Sequence, residues 1–274
     1  MHPADVLIHF SLALYSNWFY HKPTRCLFDA GEGLATALGK KVFAIQHVFL
    51  SHGHEDHIAG IANLVNVRNL AAGEHDKPLN IYYPKHDKWI DALIEYLEKK
   101  QSGLLRYPVY VQPVEPGDQI ELENVKRPSR VNVFATNHAR ERLCLGFEIE
   151  EERRGVDPIN GLVSQVVKPV FFYSGDGFQT HRVSCGRIDL AVHEATFLER
   201  DVGEAASRIE HRHCTVESAV EWGASQDVKA LVLAHMSDRY EPEEIVNAAS
   251  EAAQNCAFRG SLWVAHRDQL LEVT

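Results

Sequence analysis

The sequence has few cysteines, five among 274 residues, and they are widely spaced. No two of them form a Cys-x-x-Cys pair, and their number is odd. Disulfide frameworks and thiolate zinc sites both depend on paired or closely spaced cysteines, so neither is predicted. The cysteine content therefore favours a reducing, cytoplasmic setting.

The sequence also lacks an excess of positive charge and lacks long apolar runs. Its 28 lysines and arginines are outweighed by 38 aspartates and glutamates, which gives a formal charge of −10 and argues against a generally basic, nucleic-acid-coating surface. A local basic patch stays compatible with this balance. The N-terminus, MHPADVLIHFSLALYSNWFY, has no basic segment or small-residue cleavage site. We expect a protein that is neither exported nor inserted into a membrane.

What the sequence does contain is a series of short β-type runs, each followed by a polar cluster. Helical patterns lie between several of them, and strands interleaved with helices predict a layered α/β fold. The predicted strands are Arg25–Phe28, Val42–Leu50, Val131–Ala135, Val170–Tyr173, Asp189–Val192 and Val228–Ala234. The predicted helices are Ile58–Leu70, His86–Lys100, Thr215–Gln226 and Glu241–Ala253.

The domain organisation is predicted to be simple. Neither an internal repeat nor a low-complexity tract is present, and we expect one domain over residues 1–274. The segment Glu148–Pro169, EIEEERRGVDPINGLVSQVVKP, is charged and then loop-like. It is predicted to be a short surface insertion.

The densest chemical signal is SHGHEDH, directly after the apolar run Val42–Leu50. A loop that follows a strand can turn His52 and His54 toward one point, whereas Asp56 and His57, at the start of the next helix, can face a second point nearby. Imidazole and carboxylate without thiolate are the ligands of hydrolytic zinc sites. The alternative is a solvated histidine-rich loop, but the flanking strand and amphipathic helix favour a two-metal site.

Single ligand-type residues follow three of the later apolar runs. His138 stands in TNHAR, Asp176 in SGDG and His235 in LAHMS. A sheet that gathers these strand ends at one edge would bring them to the first cluster. Alone, Asp176 also fits a turn residue; beside the other candidates we expect it to bind metal.

These residues resemble the metallo-β-lactamase superfamily, through His52-x-His54-x-Asp56-His57 and the single ligands that follow. Further motifs are similar to the ribonuclease Z family, endonucleases that trim the 3′ trailer from precursor tRNA, especially its short bacterial form. The motifs are FDAGEG (Phe28–Gly33), HEATF (His193–Phe197), HRHCTVESA (His211–Ala219) and LAHMSDRY (Leu233–Tyr240). The resemblance implies a four-layer αββα sandwich with the metal site at the edge between the sheets.

The resemblance also implies the ligand sets of two zinc ions, although Mn²⁺ and Fe²⁺ accept the same donors. His52, His54 and His138 would hold one ion, Asp56, His57 and His235 the other, and Asp176 would bridge them. The metal pair would lower the pKa of a shared water so that it attacks as hydroxide, and Asp56 would orient or deprotonate that water.

His213 would be the general acid that protonates the leaving ribose oxygen, with Glu194 holding it and keeping it charged. His211 competes for this role, but His213 matches the motif position. The alternative for His213 is a structural histidine beside the helix cap Thr215. Asp29 is expected to support the site through hydrogen bonds.

The sequence departs from this family between His138 and Asp176, where a long substrate-binding arm is replaced by the short segment Glu148–Pro169. Phosphate contacts from lysine and arginine dominate polyanion affinity. The short segment therefore favours a substrate smaller than tRNA, whereas the His213–Glu194 pair favours phosphodiester cleavage. The leading hypothesis is a phosphodiesterase for precursor tRNA or a related RNA, and the alternative is a hydrolase of a small phosphodiester, carbon ester or thioester. The resemblance implies a homodimer. Arg239 either contacts phosphate or pairs with an acidic neighbour.

Overall fold

Two β-sheets form the centre of the protein. The computed structural model describes residues 2–71, 77–101, 103–123, 125–156, 163–177, 186–201 and 212–273. In spatial order, the first sheet consists of β1 (Leu7–Leu12), β2 (Ser16–His21), β3 (Cys26–Phe28), β4 (His47–Phe49), β5 (Leu79–Pro84) and β6 (Val109–Val114). Strands β1 to β3 are antiparallel, and β3 to β6 are parallel.

The second sheet begins with the C-terminal hairpin and runs back along the chain. Its strands, in spatial order, are β14 (Gln269–Val273), β13 (Ser261–His266), β12 (Ala230–Ala234), β11 (Leu190–Glu194), β10 (Val163–Tyr173), β9 (Cys144–Val156), β8 (Ser129–Thr136) and β7 (Gln119–Leu122). Strands β10 to β13 are parallel. Their C-terminal ends therefore lie at one edge of the sheet.

Helices cover the outer face of each sheet. They are α1 (Pro3–Val6), α2 (Leu34–Leu38), α3 (Glu55–Ile58), α4 (Ile61–Ala71), α5 (Lys88–Gln101), α6 (Val216–Ser225) and α7 (Pro242–Asn255), with 3₁₀ turns at Gly39–Ala44 and Glu199–Asp201. Thr215 caps α6, its side chain accepting from the Ser218 amide. Within the described residues, no helix is long and apolar enough to cross a membrane.

The alternation of side chains along each strand divides the apolar core into layers. In β3, Cys26 and Phe28 enter the core between the sheets, whereas Leu27 packs under α2 and α4. In β12, Val232 faces the other sheet, whereas Leu231 packs against α6 and α7. Three apolar layers thus separate four layers of secondary structure, which confirms the predicted αββα sandwich.

The predicted strand Val42–Leu50 is too long. Only His47–Phe49 is strand, and Gly39–Ala44 forms a 3₁₀ helix. The reason lies elsewhere in the chain, because the Arg68 guanidinium donates to the carbonyl oxygens of Val42 and Ile45, both at 2.7 Å. These long-range bonds stabilise a turn that an apolar run does not predict.

The loop-like interpretation of Glu148–Pro169 is wrong for the residues that the structure describes. Strands β9 and β10 pair continuously from Phe147↔Tyr173 to Val156↔Val163, apart from an irregularity at Pro169; residues 157–162 lie outside the described ranges. Ion pairs with neighbouring strands allow the charged run to be a strand: Arg130 contacts Glu150 at 2.8 Å, and Lys168 contacts Asp189. That 1–274 is one domain stays a prediction.

Candidate metal centre

The predicted ligand residues lie where strands of both sheets end. His52 follows β4, His138 follows β8, Asp176 follows β10 and His235 follows β12. Helix α3 and the residue before it contribute His54, Asp56 and His57. Because neighbouring strand ends meet at one edge, the structure brings all these side chains together, in overlapping groups of three whose ligand atoms lie within 4.8 Å of one another.

The first group consists of His52, His54 and His138. The Nε2 atom of His52 lies 2.8 Å from Nδ1 of His54, and the Nε2 atom of His138 lies 3.4 Å from the same atom. His52 and His138 are buried, whereas His54 is half-buried at the mouth of a cavity. Three imidazole nitrogens thus face one small volume.

The second group consists of Asp56, His57 and His235. The Oδ2 atom of Asp56 lies 3.5 Å from Nε2 of His57 and 3.4 Å from Nε2 of His235. The two imidazole nitrogens are 3.4 Å apart. This group provides one carboxylate and two nitrogens, the donor types of a divalent cation site.

Asp176 lies between the two groups. Its Oδ2 atom is 3.8 Å from Nε2 of His52 and 3.9 Å from Nε2 of His138, on the first side. On the second side, the same oxygen is 3.4 Å from Nε2 of His57 and 3.2 Å from Nε2 of His235. A single carboxylate therefore adjoins both groups.

Hydrogen bonds behind the first-sheet histidines determine which ring nitrogen carries the proton. The Ser51 hydroxyl donates to Asp29 Oδ2 at 2.7 Å, so its oxygen accepts from His52 Nδ1 at 2.9 Å. His57 Nδ1 donates to Asp29 at 2.7 Å, and the Tyr173 hydroxyl donates to the same oxygen at 2.5 Å. Asp29 thus lies behind the site, and both histidines turn an Nε2 lone pair toward the cluster.

Hydrogen bonds to Nδ1 also orient the second-sheet histidines, His138 and His235. His138 Nδ1 donates to the carbonyl oxygen of Arg212 at 2.9 Å. The Thr196 hydroxyl donates to Glu194 Oε2 at 2.8 Å, so it accepts from His235 Nδ1, also at 2.8 Å. His138 and His235 therefore direct Nε2 lone pairs toward Asp176.

The carboxylates of the cluster favour positive charge beside them. Burial alone would lower the pKa of His57, but Asp176, Asp56 and Asp29 raise it well above its usual value. Burial raises the pKa of Asp176, yet the histidines around it, His235 and His57 foremost, bring it well below its usual value. Four Nε2 lone pairs and two carboxylates converge, an acceptor set that divalent cations satisfy. The residues present therefore fit the bound metal that the fold implies.

Glu194 and His213 form a separate pair beside the cluster. Glu194 is buried, and its carboxylate accepts from the amides of Gly177, Thr196 and Cys214 in addition to the Thr196 hydroxyl. His213 Nδ1 lies 3.1 Å from Glu194 Oε1. Burial opposes protonation of His213, but Glu194 outweighs it and raises the pKa. With its oxygens occupied by donors, Glu194 serves as a fixed anion that orients His213.

His213 and ligand residues of both groups line one cavity of about 400 Å³. Its lining also includes Leu14, Phe197 and Arg239, and the ligand residues that line it are His54, Asp56, His138, Asp176 and His235. The Arg239 guanidinium stacks 5.3 Å from the Phe197 ring. A substrate in this cavity would contact the cluster and His213 at once. His211, the competing histidine, lies outside the described residues.

Several residues that support the ligands were not predicted from the sequence. Thr196 orients His235 and stands within HEATF, so the motif carried a signal for it. Asn17 and the Leu14 amide both bond to Asp56, at 3.2 and 3.1 Å. Neither of these two residues has a role predicted from the sequence, because their contact with Asp56 is created only by folding.

Comparisons with known proteins show which family the chain belongs to. A family model described as the beta-lactamase superfamily domain matches residues 24–236. The chain is 29% identical over 276 residues to the ribonuclease Z of Thermococcus kodakarensis, covering 88% of this chain and 83% of that protein.

Solved structures show the same fold. The short form of human tRNase Z superimposes with a TM-score of 0.66 at 21% identity, covering 98% of this chain and 99% of the other. The metallo-beta-lactamase fold protein YhfI of Bacillus subtilis gives the same TM-score of 0.66 at 16% identity, with 97% of each chain covered. The chain therefore belongs to the beta-lactamase superfamily and is a metal-dependent hydrolase.

Proposed function

We propose that this protein is a dinuclear zinc phosphodiesterase of the ribonuclease Z type, which cuts precursor tRNA or a related RNA at its 3′ trailer. One observation carries the proposal: His213, whose Nδ1 lies 3.1 Å from Glu194, lines the same cavity as ligand residues of both groups. An acid beside a metal cluster suits cleavage that releases a poor leaving group such as a ribose oxygen.

The residues that would hold the two ions are those of the two groups. His52, His54 and His138 would hold one ion, Asp56, His57 and His235 the other, with Asp176 between them. Bound ions supply an activated water and stabilise negative charge on the phosphoryl oxygens. The N/O donor set suits zinc, and also accepts Mn²⁺ and Fe²⁺.

The protein's own residues would handle orientation and protons. Asp56, adjoining the second group, would orient the attacking water. The bond from His213 Nδ1 to Glu194 turns Nε2 away from the carboxylate. That nitrogen would hold the proton that passes to the leaving oxygen as the bond from phosphorus to oxygen breaks, and Glu194 would stabilise the charged ring until then.

A second candidate is a hydrolase of small phosphodiesters or carbon esters, and the β9–β10 segment favours it. Arg153 contacts Glu151 at 2.9 Å, and Lys168 contacts Asp189. Arg154, the third cation of the segment that replaces a long basic arm, is exposed, but these two cations have acidic partners within the protein. Their contribution to binding a polyanion is reduced accordingly.

The two candidates predict different substrate profiles. Cleavage of a trailer-bearing precursor tRNA is compared with hydrolysis of the chromogenic diester bis(p-nitrophenyl) phosphate, at equal enzyme and metal concentrations. The leading proposal expects a cut at the 3′ trailer. Rapid hydrolysis of the small diester with intact precursor tRNA would favour the second candidate. The expected homodimer and cytoplasmic setting stay predictions, and sedimentation velocity tests the first of them.

A further inference from the structure

We propose that Asn17, oriented by Ser11, is a positioning residue that sets the cation affinity of the group Asp56–His57–His235. This inference rests on the proposed function, because it takes that group to be one of two metal sites. Asn17 is 1% exposed and Ser11 is fully buried. Two polar side chains so deeply buried require partners.

The hydrogen bonds between these residues can run in only one direction. The His235 amide can only donate, so it donates to Ser11 Oγ at 2.7 Å. The Ser11 hydroxyl donates to Asn17 Oδ1 at 2.8 Å, which turns the Asn17 amino group the other way. That amino group donates to Asp56 Oδ2 at 3.2 Å and to the Leu12 carbonyl at 3.4 Å. The amide orientation of Asn17 therefore follows from its partners.

This network connects ligands that come from opposite sheets. Asp56 belongs to α3, beside the first sheet, whereas His235 follows β12 of the second. Strand β1 is itself bonded to the second sheet, since the Ser11 amide donates to the Arg267 carbonyl at 3.0 Å and the Arg267 amide returns a bond at 2.9 Å. The distance between Asp56 and His235 thus depends on the β1–β2 hairpin.

The backbone around the network adopts conformations that need support. His235 has φ of 60° and Leu14 has φ of 71°, in the left-handed region that such residues rarely adopt. Each of these residues uses its amide in the network, His235 toward Ser11 and Leu14 toward Asp56 at 3.1 Å. Backbone strain of this kind persists only where surrounding contacts hold the residue in its conformation.

A glycine permits the close approach between the hairpin and α3. A Cβ on Gly31 would lie 2.3 Å from the backbone carbonyl oxygen of Asp56 and 2.6 Å from the backbone nitrogen of Asn17. Any side chain at this position would therefore separate Asn17 from Asp56. The packing allows the hydrogen bond from Asn17 to the carboxylate.

The support that Asn17 provides reaches only one of the two ligand groups, Asp56–His57–His235. Asp56 Oδ2, which Asn17 and Leu14 hold, is the oxygen that lies 3.4 Å from His235 and 3.5 Å from His57. The other group is oriented by Ser51 and by the Arg212 carbonyl. Loss of such supporting hydrogen bonds lowers metal affinity by about 10- to 100-fold. Loss of Asn17 should therefore weaken one ion and spare the other.

The test is a titration of metal-free protein with Zn²⁺ against a chromogenic chelator, repeated with Co²⁺ to record its absorption spectrum. Wild type is compared with Asn17→Leu, Ser11→Ala and the control Asn69→Leu. Asn69 is also a buried asparagine, which bonds to the backbone of Leu104 and Arg106 outside the site. Asn17→Leu should weaken one ion by about 10- to 100-fold and leave the other unchanged. Ser11→Ala should weaken the same ion less, and Asn69→Leu neither.

Three outcomes would overturn the inference: wild-type affinity for both ions in Asn17→Leu, equal loss at both ions, or the same loss in Asn69→Leu. If Asn17→Leu does not fold, Ser11→Ala carries the test, and unchanged affinities in that variant overturn the inference too. A wild-type protein that binds fewer than two ions would instead contradict the dinuclear proposal.

Discussion

Two sets of buried histidines in this protein have opposite surroundings. In the first sheet, His9, His21 and His47 are 6%, 4% and 3% exposed, about as buried as His52 and His57 of the site at 0%. The former set stacks on aromatic rings, with His21 4.7 Å from Phe171, whereas the latter faces carboxylates.

At His57 the surroundings reverse the effect of burial on protonation, whereas at His52, beside the other site histidines, burial still lowers the pKa. Burial lowers the pKa of His21 to about 3 and that of His47 to about 4. His57 is equally buried, but Asp176 and Asp56 raise its pKa. Burial of a histidine therefore does not make a site; convergence with carboxylates does.

The strongest test of this comparison removes the carboxylate shared by both ligand groups. Asp176→Ala should abolish stoichiometric metal binding and reduce hydrolysis to background, with affinity falling by more than the roughly 100-fold that loss of a supporting partner causes. Metal content after gel filtration measures it. The control is Asp118→Ala, a turn aspartate that bonds to the Glu115 amide. Retained metal in Asp176→Ala would show that Asp176 is only a turn residue.

The role of His213 as general acid can be tested separately from metal binding by changing the leaving group. His213→Ala should keep its metal but lose about 10²- to 10⁴-fold in the rate of RNA cleavage, because the ribose oxygen needs a proton to leave. Hydrolysis of bis(p-nitrophenyl) phosphate should fall much less, since its phenolate leaves unprotonated. Steady-state rates on both substrates measure this difference. Equal losses on both substrates would contradict the general-acid role.

The core histidines should affect the stability of the fold, whereas the site histidines should affect metal binding. With a folded pKa of about 3 against 6.5 unfolded, His21 favours the unfolded state once the pH falls below 6.5. Its contribution should lower the free energy of unfolding by about 2 kcal/mol between pH 6.5 and 5. Urea denaturation of metal-free protein measures it. His21→Phe should lose this part of the pH dependence, and His2→Phe, at an exposed position, should keep it.

The smallest effect is expected at the boundary between core and site. The Tyr173 ring packs 5.5 Å from Phe19 in the core, while its hydroxyl bonds to Asp29. Tyr173→Phe should weaken metal binding by about 10-fold or less, because Asp29 keeps its bonds to Ser51 and His57. Competition with a chelator measures this change. A loss as large as that in Asp176→Ala would mean that Asp29 depends on Tyr173 for its position.

Much of the architecture was predictable from local patterns. The helices at Thr215–Gln226 and Glu241–Ala253 match α6 and α7 closely, because cap residues and apolar periodicity are local signals. The strands β9 and β10 were missed in part, since their charged residues are satisfied by partners on neighbouring strands. The strand β5 was not predicted either, although it lies between β4 and β6 in the first sheet.

The sequence by itself determined the chemistry available to this protein: histidines and aspartates placed after strands, in the spacing of a known superfamily. The tertiary structure alone decided which imidazole nitrogen faces inward, through Asp29, Thr196 and the Arg212 carbonyl. It also decided that Asn17 meets Asp56, 39 positions along the chain. The physical reason is that hydrogen-bond direction and metal geometry depend on distances in space, which spacing along a chain does not encode.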